Sequence, residues 1–336
     1  MHAATLPRFG DPDVLTWAPV PDPVCASDEV VVEVLACGVN HCDLDSRAGV
    51  SRWSFELPMV LGGEFAGVIA EVGAHVRDLR PGDPVAALQH YATPDGQLVQ
   101  FGIDRWGGYA QYAAVPARAL VRLSSLDEIE PAAAGQTVAS TAWRMVTTLG
   151  DVQPGETVLI PSASGGVGSA LVGAAGLRGA RVIATVGSPE KVGAVRALGA
   201  DEVICYTDSS VLDAVAELTG GAGVDCVLDT VGGAQFRDHL AALRLDGRYV
   251  TCGAHAGEVV ELDLVRLFQH GHRLLGFGFC TEQELRESLA HVLAGRLRVP
   301  VAARYPLAEA AAAHRALDRR QHVGKLLLHP VPGSSA

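Results

Sequence analysis

A glycine-rich turn between an apolar run and a helix-like stretch is the part of this sequence best suited to binding an anion. The apolar run covers Thr157 to Pro161, and small hydrophobic residues follow the turn from Ala170 onward. Glycines let a backbone turn sharply and approach a pyrophosphate, which then lies at the helix N-terminus. Ala163 takes the place of the first glycine in the usual G-x-G-x-x-G pattern, so tight helix–strand packing is the alternative. The residues expected to hold the phosphates are Ser164, Gly165, Gly166, Val167 and Gly168.

The end of the next strand predicts which dinucleotide this turn would bind. Sites selective for NAD place an acid there, where it binds the ribose 2′-hydroxyl. The predicted strand Arg181 to Val186 leads instead into Gly187 and Ser188, with Lys191 three residues later. A serine hydroxyl and a lysine ammonium suit a 2′-phosphate, so we predict NADPH. Glu190 is a contrary signal that we expect to point away, and the alternative for Lys191 is an ordinary solvated helix lysine.

The composition indicates a soluble globular protein. With 336 residues, 49% of them hydrophobic, the chain is long enough for two domains. A net charge of −12 disfavours nucleic acid or an anionic membrane surface as a partner. No apolar run of about 18 residues occurs, and no basic region precedes an apolar one at the N-terminus. The seven cysteines contain no C-x-x-C pair, which is typical of free thiols in a reducing compartment, so we expect a cytoplasmic protein.

Two kinds of hydrophobic pattern divide the chain. The first 123 residues are β-rich, with strands predicted at Val30–Leu35 and Phe65–Val72. From Thr157 strands and helices alternate, which predicts a doubly wound parallel sheet with a ligand crevice at the C-terminal strand ends. The predicted strands of this sheet are Thr157–Pro161, Arg181–Val186, Glu202–Cys205, Cys226–Thr230 and Arg248–Thr251.

The chain beyond Leu262 follows neither pattern cleanly. We predict helices at Glu282–Leu293 and Leu307–Leu317, and a closing strand at Lys325–Leu328. The last residues, 333–336, are expected to be a frayed tail.

Short motifs throughout the chain resemble those of the medium-chain dehydrogenase/reductase superfamily, in the same order. They are Gly38-Val39-Asn40-x-x-Asp43, Leu61-Gly62-Gly63-Glu64, Gly107-Gly108-Tyr109-Ala110, Thr141-Ala142-Trp143, Gly165-Gly166-Val167-Gly168 and Gly324-Lys325. The resemblance implies an α/β fold with a GroES-like catalytic domain at 1–123 and a Rossmann NADPH-binding domain at 124–262. It also implies a C-terminal segment, 263–336, that returns to the catalytic domain, and a homodimer.

Zinc alcohol dehydrogenases of this superfamily carry three catalytic ligands, and the matching positions here hold Asn40, Gly63 and Thr137. These side chains do not replace the thiolate, imidazole or carboxylate donors that zinc needs. Cys37, His41 and Cys42 lie close in sequence, but their spacing matches no zinc pattern, so we predict no metal site. The sequence therefore resembles the zinc-free branch, which contains quinone oxidoreductases and enoyl reductases.

The resemblance also assigns candidate catalytic and cofactor residues. Asn40 and Thr141 match positions that line the nicotinamide and the substrate. Asn40 is expected to donate its amide to a substrate oxygen, and a hydrogen-bonded turn residue is the alternative. The backbone of Cys252, Gly253 and Ala254 matches the nicotinamide contact, Tyr206 matches a phosphate-contacting tyrosine, and Phe277 is a candidate wall of the pocket. Asp45 replaces a substrate-contacting tyrosine of several quinone oxidoreductases. It could donate a proton if burial raised its pKa, and a surface or capping role is the alternative.

Three functions fit these residues. The leading prediction is NADPH-dependent reduction of a small molecule with an activated double bond, such as an enone, a quinone or an enoyl-type substrate. An alternative is a reductive cyclase of secondary metabolism, for which Asp45 and the polar stretch from Gln89 to Arg105 leave room. The third is a protein that binds NADPH without catalysis.

Overall fold

The computed structural model describes residues 1–330, and the tail predicted at 333–336 lies outside this range. The chain forms two compact units. One contains Met1–Thr137 together with the described residues from Val301 onward, and the other contains Val138–Pro300. The described residues of the first unit form three sheets and those of the second form one, and each unit has its own hydrophobic core.

Residues 1–330 contain eighteen strands. They are β1 (His2–Leu6), β2 (Thr16–Pro19), β3 (Glu29–Val39), β4 (Met59–Val60), β5 (Phe65–Val72), β6 (Pro84–Ala87), β7 (His90–Ala92), β8 (Leu98–Gln100), β9 (Tyr112–Pro116), β10 (Leu120–Arg122), β11 (Thr157–Ile160), β12 (Arg181–Val186), β13 (Glu202–Cys205), β14 (Val224–Asp229), β15 (Leu243–Thr251), β16 (Arg273–Gly276), β17 (Val301–Pro306) and β18 (Lys325–His329).

The same residues contain nine α-helices and one π-helical turn, Met145–Leu149, which follows the second helix directly. The helices are α1 (His41–Ala48), α2 (Ile129–Arg144), α3 (Gly166–Leu177), α4 (Val192–Ala197), α5 (Val211–Leu218), α6 (Phe236–Ala241), α7 (Leu264–Gln269), α8 (Glu282–Leu293) and α9 (Ala310–Asp318). None of these helices is long and apolar enough to cross a membrane.

The second unit is built on a six-stranded parallel sheet in the order β13-β12-β11-β14-β15-β16. Val158, Leu159 and Ile160 of β11 are fully buried, as expected for a central parallel strand covered on both faces. The strand order reverses between β11 and β14, so their C-terminal ends flank the switch point where such sheets bind ligands. The predicted Rossmann sheet is confirmed, and all five predicted strands belong to it.

The expected domain boundaries differ from those of the structure. The sequence pattern divided the chain after residues 123 and 262, whereas the boundaries of the compact units fall after Thr137 and Pro300. The later return follows from β16, because this strand pairs with β15 as a sixth strand of the Rossmann sheet. The segment 263–300 therefore belongs to the second unit, and the chain rejoins the first unit only at Val301.

The first unit contains the predicted β-rich domain, with a main sheet in the order β10-β6-β5-β3-β18-β17 and β9 also paired to β3. The last strand, β18, runs antiparallel to the end of β3, with Leu326 opposite Val39. This register brings Lys325, the first residue of β18, beside the end of β3 and Asn40.

The polar stretch from Gln89 to Arg105 forms a hairpin of β7 and β8 that folds back on the first unit. Arg105 fixes it there, with Nη1 donating to Glu29 at 2.7 Å and to the Tyr91 hydroxyl at 3.0 Å. Its Nη2 donates to the Ala114 carbonyl at 3.0 Å. These contacts give the stretch a structural role.

Candidate functional site

The glycine-rich turn joins β11 to α3, as the sequence predicted. Ser162 adopts a left-handed conformation with φ of 53°, and its N–H donates to the Thr185 hydroxyl at 3.1 Å. A helix that begins at Gly166 leaves the N–H groups of its first turn without intrahelical partners. Those N–H groups and the helix dipole suit a pyrophosphate. Ser164 and Gly165 precede the helix directly, and the first helical turn contains Gly166, Val167 and Gly168.

Gly168 also serves packing. A Cβ added there would lie 2.7 Å from Cα of Ala163, so only glycine lets α3 approach the turn this closely. Tight packing of the helix therefore explains why position 168 is a glycine. Packing does not require a glycine at position 165, where an added Cβ would meet only one atom, at 3.7 Å.

The ends of β12 and β13 bring Gly187 and Tyr206 together. A Cβ at position 187 would lie 2.4 Å from the Tyr206 hydroxyl, so the ring occupies the space that a side chain would need. Lys191 is half-buried in the short turn that follows, and this burial lowers its pKa. Glu190 does not point away as expected, because its carboxylate bonds the Ser188 side chain, which lowers the pKa of Glu190.

The ends of β14, β15 and β16 lie side by side at the same edge of the sheet. Buried Asp229, at the end of β14, accepts from the N–H groups of Val231 and Gly232 at 2.8 and 3.0 Å. A Cβ added to Gly253 would lie 2.4 Å from the Thr230 carbonyl oxygen. Because Gly253 has no side chain, the backbone of Cys252, Gly253 and Ala254 can lie this close to the loop after β14. The Phe277 N–H donates to the Thr251 carbonyl at 2.9 Å. The structure thus brings these candidate cofactor residues to the edge that carries the glycine turn.

Asn40 lies in the first unit, within a buried charged cluster that the sequence did not predict. Lys325 Nζ donates to Asn40 Oδ1 at 2.5 Å and to Glu64 Oε2 at 2.8 Å. Asn40 Nδ2 donates to the same Glu64 oxygen at 3.1 Å. Since Lys325 can only donate, the amide oxygen of Asn40 must face the ammonium and the NH₂ group must face Glu64.

The other two positions that match zinc ligands adjoin this cluster. The Thr137 N–H donates to Glu64 Oε1 at 2.6 Å. A Cβ on Gly63 would lie 3.0 Å from the Phe101 carbonyl, so a histidine there would need the backbone to move. Within residues 1–330, no group of three or more His, Cys, Asp or Glu side chains is arranged to hold a metal ion.

Asp43 is a buried carboxyl that the sequence reasoning passed over in favour of Asp45. Its oxygens accept from the N–H groups of Asn40 and Gly62 at 2.9 and 3.2 Å. Burial raises the pKa of Asp43 to about 6, even though these hydrogen bonds and Lys325 act in the opposite direction. Asp45, by contrast, is only half-buried in α1. The full burial that would favour Asp45 as a proton donor is absent.

Thr141 lies half-buried on α2, in the second unit. Three residues further on, Arg144 donates through Nε to the Phe277 carbonyl at 3.0 Å. Arg144, Glu64 and Lys325 were not among the site residues predicted from the sequence. Two signals were available: Glu64 belongs to a quoted motif, and Lys325 is one of two lysines in the chain.

Comparison with known proteins agrees with this architecture. Residues 26–125 match the family described as alcohol dehydrogenase GroES-like domain, and residues 166–294 match zinc-binding dehydrogenase. A 2-haloacrylate reductase from Burkholderia sp. is 33% identical, with 98% of each chain covered.

Two solved structures extend the comparison. An NAD-dependent alcohol dehydrogenase has a TM-score of 0.93 and 34% identity, covering 98% of this chain and 100% of that one. Escherichia coli quinone oxidoreductase complexed with NADPH has a TM-score of 0.86 and 29% identity, with the same coverage. The chain belongs to the medium-chain dehydrogenase/reductase superfamily, in its quinone oxidoreductase-like branch, and is an oxidoreductase.

Proposed function

We propose that this protein uses NADPH to reduce an activated C=C bond of an enone, quinone or enoyl-type substrate without zinc. The name of the Burkholderia relative denotes a substrate whose double bond is conjugated to a carboxylate. The quinone oxidoreductase relative supports the same class of acceptor, in which a carbonyl activates the double bond.

The position of Lys325 is the observation that carries the zinc-free part of the proposal. Of the three side chains at the zinc-ligand positions, only those of Asn40 and Thr137 contain an oxygen, and Gly63 offers no donor atom. The Asn40 oxygen accepts from the buried ammonium of Lys325. A metal cation bound at this oxygen would have to displace that ammonium and would be repelled by it. The proposed reaction therefore uses an acceptor that needs no Lewis acid.

Several residues of the second unit fit NADPH. The N–H groups at the start of α3 suit the pyrophosphate. Ser188 and Lys191, which follow β12, and Tyr206, which packs against Gly187, are proposed to contact the 2′-phosphate. Partial burial of Lys191 strengthens its attraction for a phosphate, because fewer water molecules screen the charge. The Ser188 hydroxyl must leave Glu190 in order to donate to the phosphate. When bound, NADPH supplies the hydride for the β-carbon of the acceptor.

The role proposed for Asn40 is to donate a hydrogen bond to the substrate carbonyl. Its NH₂ group has two hydrogens, and the bond to Glu64 uses one. The Lys325 ammonium on the amide oxygen polarises the amide and makes the second N–H a stronger donor. Such a donor stabilises the negative charge that develops on the substrate oxygen. Thr141 is proposed to contact the substrate or nicotinamide, and solvent water supplies the proton.

A panel of enones and quinones, assayed with NADPH and with NADH, tests this function. We expect oxidation of NADPH with at least one acceptor, and a product with two added hydrogens and an unchanged number of rings by NMR. A product with a new ring would replace the proposal with the reductive cyclase. Tight binding of NADPH without oxidation by any acceptor would favour the non-catalytic binding role.

We also propose a homodimer formed through β16, an edge strand of the parallel sheet. The unpaired backbone of an edge strand can pair with a second copy of itself, which satisfies both edges at once. Exposed apolar side chains lie on β16, on the helix α7 that precedes it and in the segment that follows it, and we propose that the dimer covers them. They are Leu264, Val265, Phe268, Leu274 and Phe279.

Light scattering on size-exclusion fractions tests the dimer. Replacing Phe268, which is 69% exposed, with Glu should shift the mass towards that of a monomer. Leu126 is 62% exposed in the first unit, and Leu126→Glu is the matched control that should remain dimeric. An unchanged mass for Phe268→Glu would contradict the proposed interface.

A further inference from the structure

A charged cluster in the second unit ties the end of α2 to α8 and to the segment that follows β16. Arg144 and Glu284 form an ion pair with side chains that are 18% and 10% exposed. Arg144 Nη1 donates to the two carboxylate oxygens at 3.0 and 2.9 Å. This pair is far more enclosed than the Arg286–Glu282 pair on α8, which is 40% and 59% exposed.

The Glu284 carboxylate is held by further hydrogen bonds. One oxygen accepts from the Thr148 hydroxyl at 2.6 Å. The other accepts from the N–H and the hydroxyl of Thr281 at 2.7 and 3.1 Å. Burial alone would raise the pKa of Glu284, but the bonds from Thr148, Thr281 and Arg144 outweigh it and lower the pKa. The carboxylate therefore stays charged and fixes the orientation of the Arg144 guanidinium.

The guanidinium in turn holds the backbone at Phe277. Arg144 Nε donates to the Phe277 carbonyl at 3.0 Å, while the Phe277 N–H donates to the Thr251 carbonyl at 2.9 Å. Both sides of this residue are thus fixed, one by the sheet and the other by α2. Buried Cys280 adds a second attachment to α2, because its thiol bonds the side chain of Ser140.

We propose that Arg144, oriented by Glu284, is a positioning residue that fixes Phe277 relative to α2 for binding of the nicotinamide. The inference rests on the proposed function, in which Thr141 contacts the substrate or nicotinamide, and on the expectation that Phe277 is a wall of the same pocket. Thr141 precedes Arg144 by three residues, so the two share one face of the helix. Arg144 itself contacts neither substrate nor cofactor in this proposal. It acts through the Phe277 carbonyl.

Substitution of Arg144 by Lys tests this role, because lysine keeps the charge and loses the planar fork that bonds two partners. The probes are NADPH and 2′-phospho-ADP-ribose, which lacks the nicotinamide, with both dissociation constants measured by titration calorimetry. For Arg144→Lys we expect the Kd of NADPH to rise about tenfold, as for a lost hydrogen bond to a charged group, and the Kd of the fragment to stay within about twofold. If the substitution loosened the whole Rossmann domain, the dissociation constants of both ligands would rise equally.

Two further variants keep the test decisive. Thr148→Val removes a single bond to Glu284 at an exposed position and should give the same preferential loss of NADPH, at smaller size. Arg286→Lys alters the exposed pair on α8 and should change neither dissociation constant. Equal losses for the two ligands in Arg144→Lys and Thr148→Val, or no loss in either, would overturn the positioning role.

The result can be separated from the outcome for the proposed function. If the wild-type protein binds NADPH but reduces no acceptor, the reductase proposal fails and the comparison of the two ligands still tests Arg144. If it binds NADH instead, the same comparison is made with NADH and ADP-ribose.

Discussion

The ammonium of Lys325 lies 2.8 Å from the carboxylate of Glu64, and both side chains are buried. Asn40 joins the pair through both ends of its amide. The cluster thus places a protein cation in contact with Asn40, one of the three positions that match zinc ligands. It also fixes which end of Asn40 can donate to a substrate.

Removal of Lys325 should strongly destabilise the first unit. Lys325→Met leaves the Glu64 carboxylate buried without its positive partner, and breaking a buried pair in this way costs about 3–5 kcal/mol. Urea unfolding of the two proteins measures this loss. Arg286→Met, in an exposed pair, should cost less than about 1 kcal/mol. A similarly small loss for Lys325→Met would contradict the importance of the buried pair.

Truncation of Asn40 should slow the chemical step. Asn40→Ala removes the proposed donor to the substrate oxygen, and loss of such a donor lowers kcat by about 10²-fold or more. The Kd of NADPH should remain unchanged, because the cofactor contacts proposed above lie in the second unit. Steady-state kinetics with fluorescence titration of NADPH measures both quantities. An unchanged kcat would show that Asn40 is a structural turn residue.

Loss of Lys191 should affect NADPH more than NADH. Lys191→Ala removes a charged contact to the 2′-phosphate, worth about 1–3 kcal/mol, and should raise the KM of NADPH about tenfold or more. NADH lacks this phosphate, so its KM should change little. Arg196→Ala, at an exposed position of α4, is the matched control. An unchanged KM for NADPH would exclude the 2′-phosphate contact.

Asp43 should give the stability a particular pH dependence. Its pKa is about 6 in the folded protein and 3.8 in the reference state, so the folded form binds the proton more readily. Ionised Asp43 therefore destabilises the fold above pH ~6, and this penalty disappears as the pH falls to ~4. As the pH falls between those limits, the free energy of unfolding of the wild type should rise by about 3 kcal/mol relative to that of Asp43→Asn. Chemical denaturation from pH 7 to 4 measures the difference, and a constant difference would contradict the raised pKa.

The sequence predicted the elements that depend on local pattern. The predicted bounds agree with the structure for β5, β12, β13 and α8. In each case an apolar run or a helix cap in the sequence marks where the element begins and ends. The α8 helix, for example, begins after a Thr281–Glu284 capping box. The charged clusters were not predictable in this way. Glu64 and Lys325 are 261 residues apart in sequence, and Arg144 and Glu284 are 140 apart, so only the fold brings them together.

The orientation of Glu190 shows a second limit of sequence reasoning. Its charge was visible beside Lys191, but the direction of its side chain depends on the turn that brings it to Ser188. Likewise, β16 was not predicted, because one of its four residues is an arginine, another is a glycine, and the strand is largely exposed at a sheet edge. An exposed edge strand lacks the continuous apolar run that identified the central strands.

The zinc-free reaction is tested most directly by the rate of NADPH oxidation by an enone after exhaustive removal of metal ions. The protein is dialysed against a chelator, its zinc content is measured by mass spectrometry, and the rate is compared before and after zinc is added back. We predict the same rate with and without zinc, because Lys325 already holds the Asn40 oxygen. A rate that rises in proportion to bound zinc would contradict a zinc-free reaction.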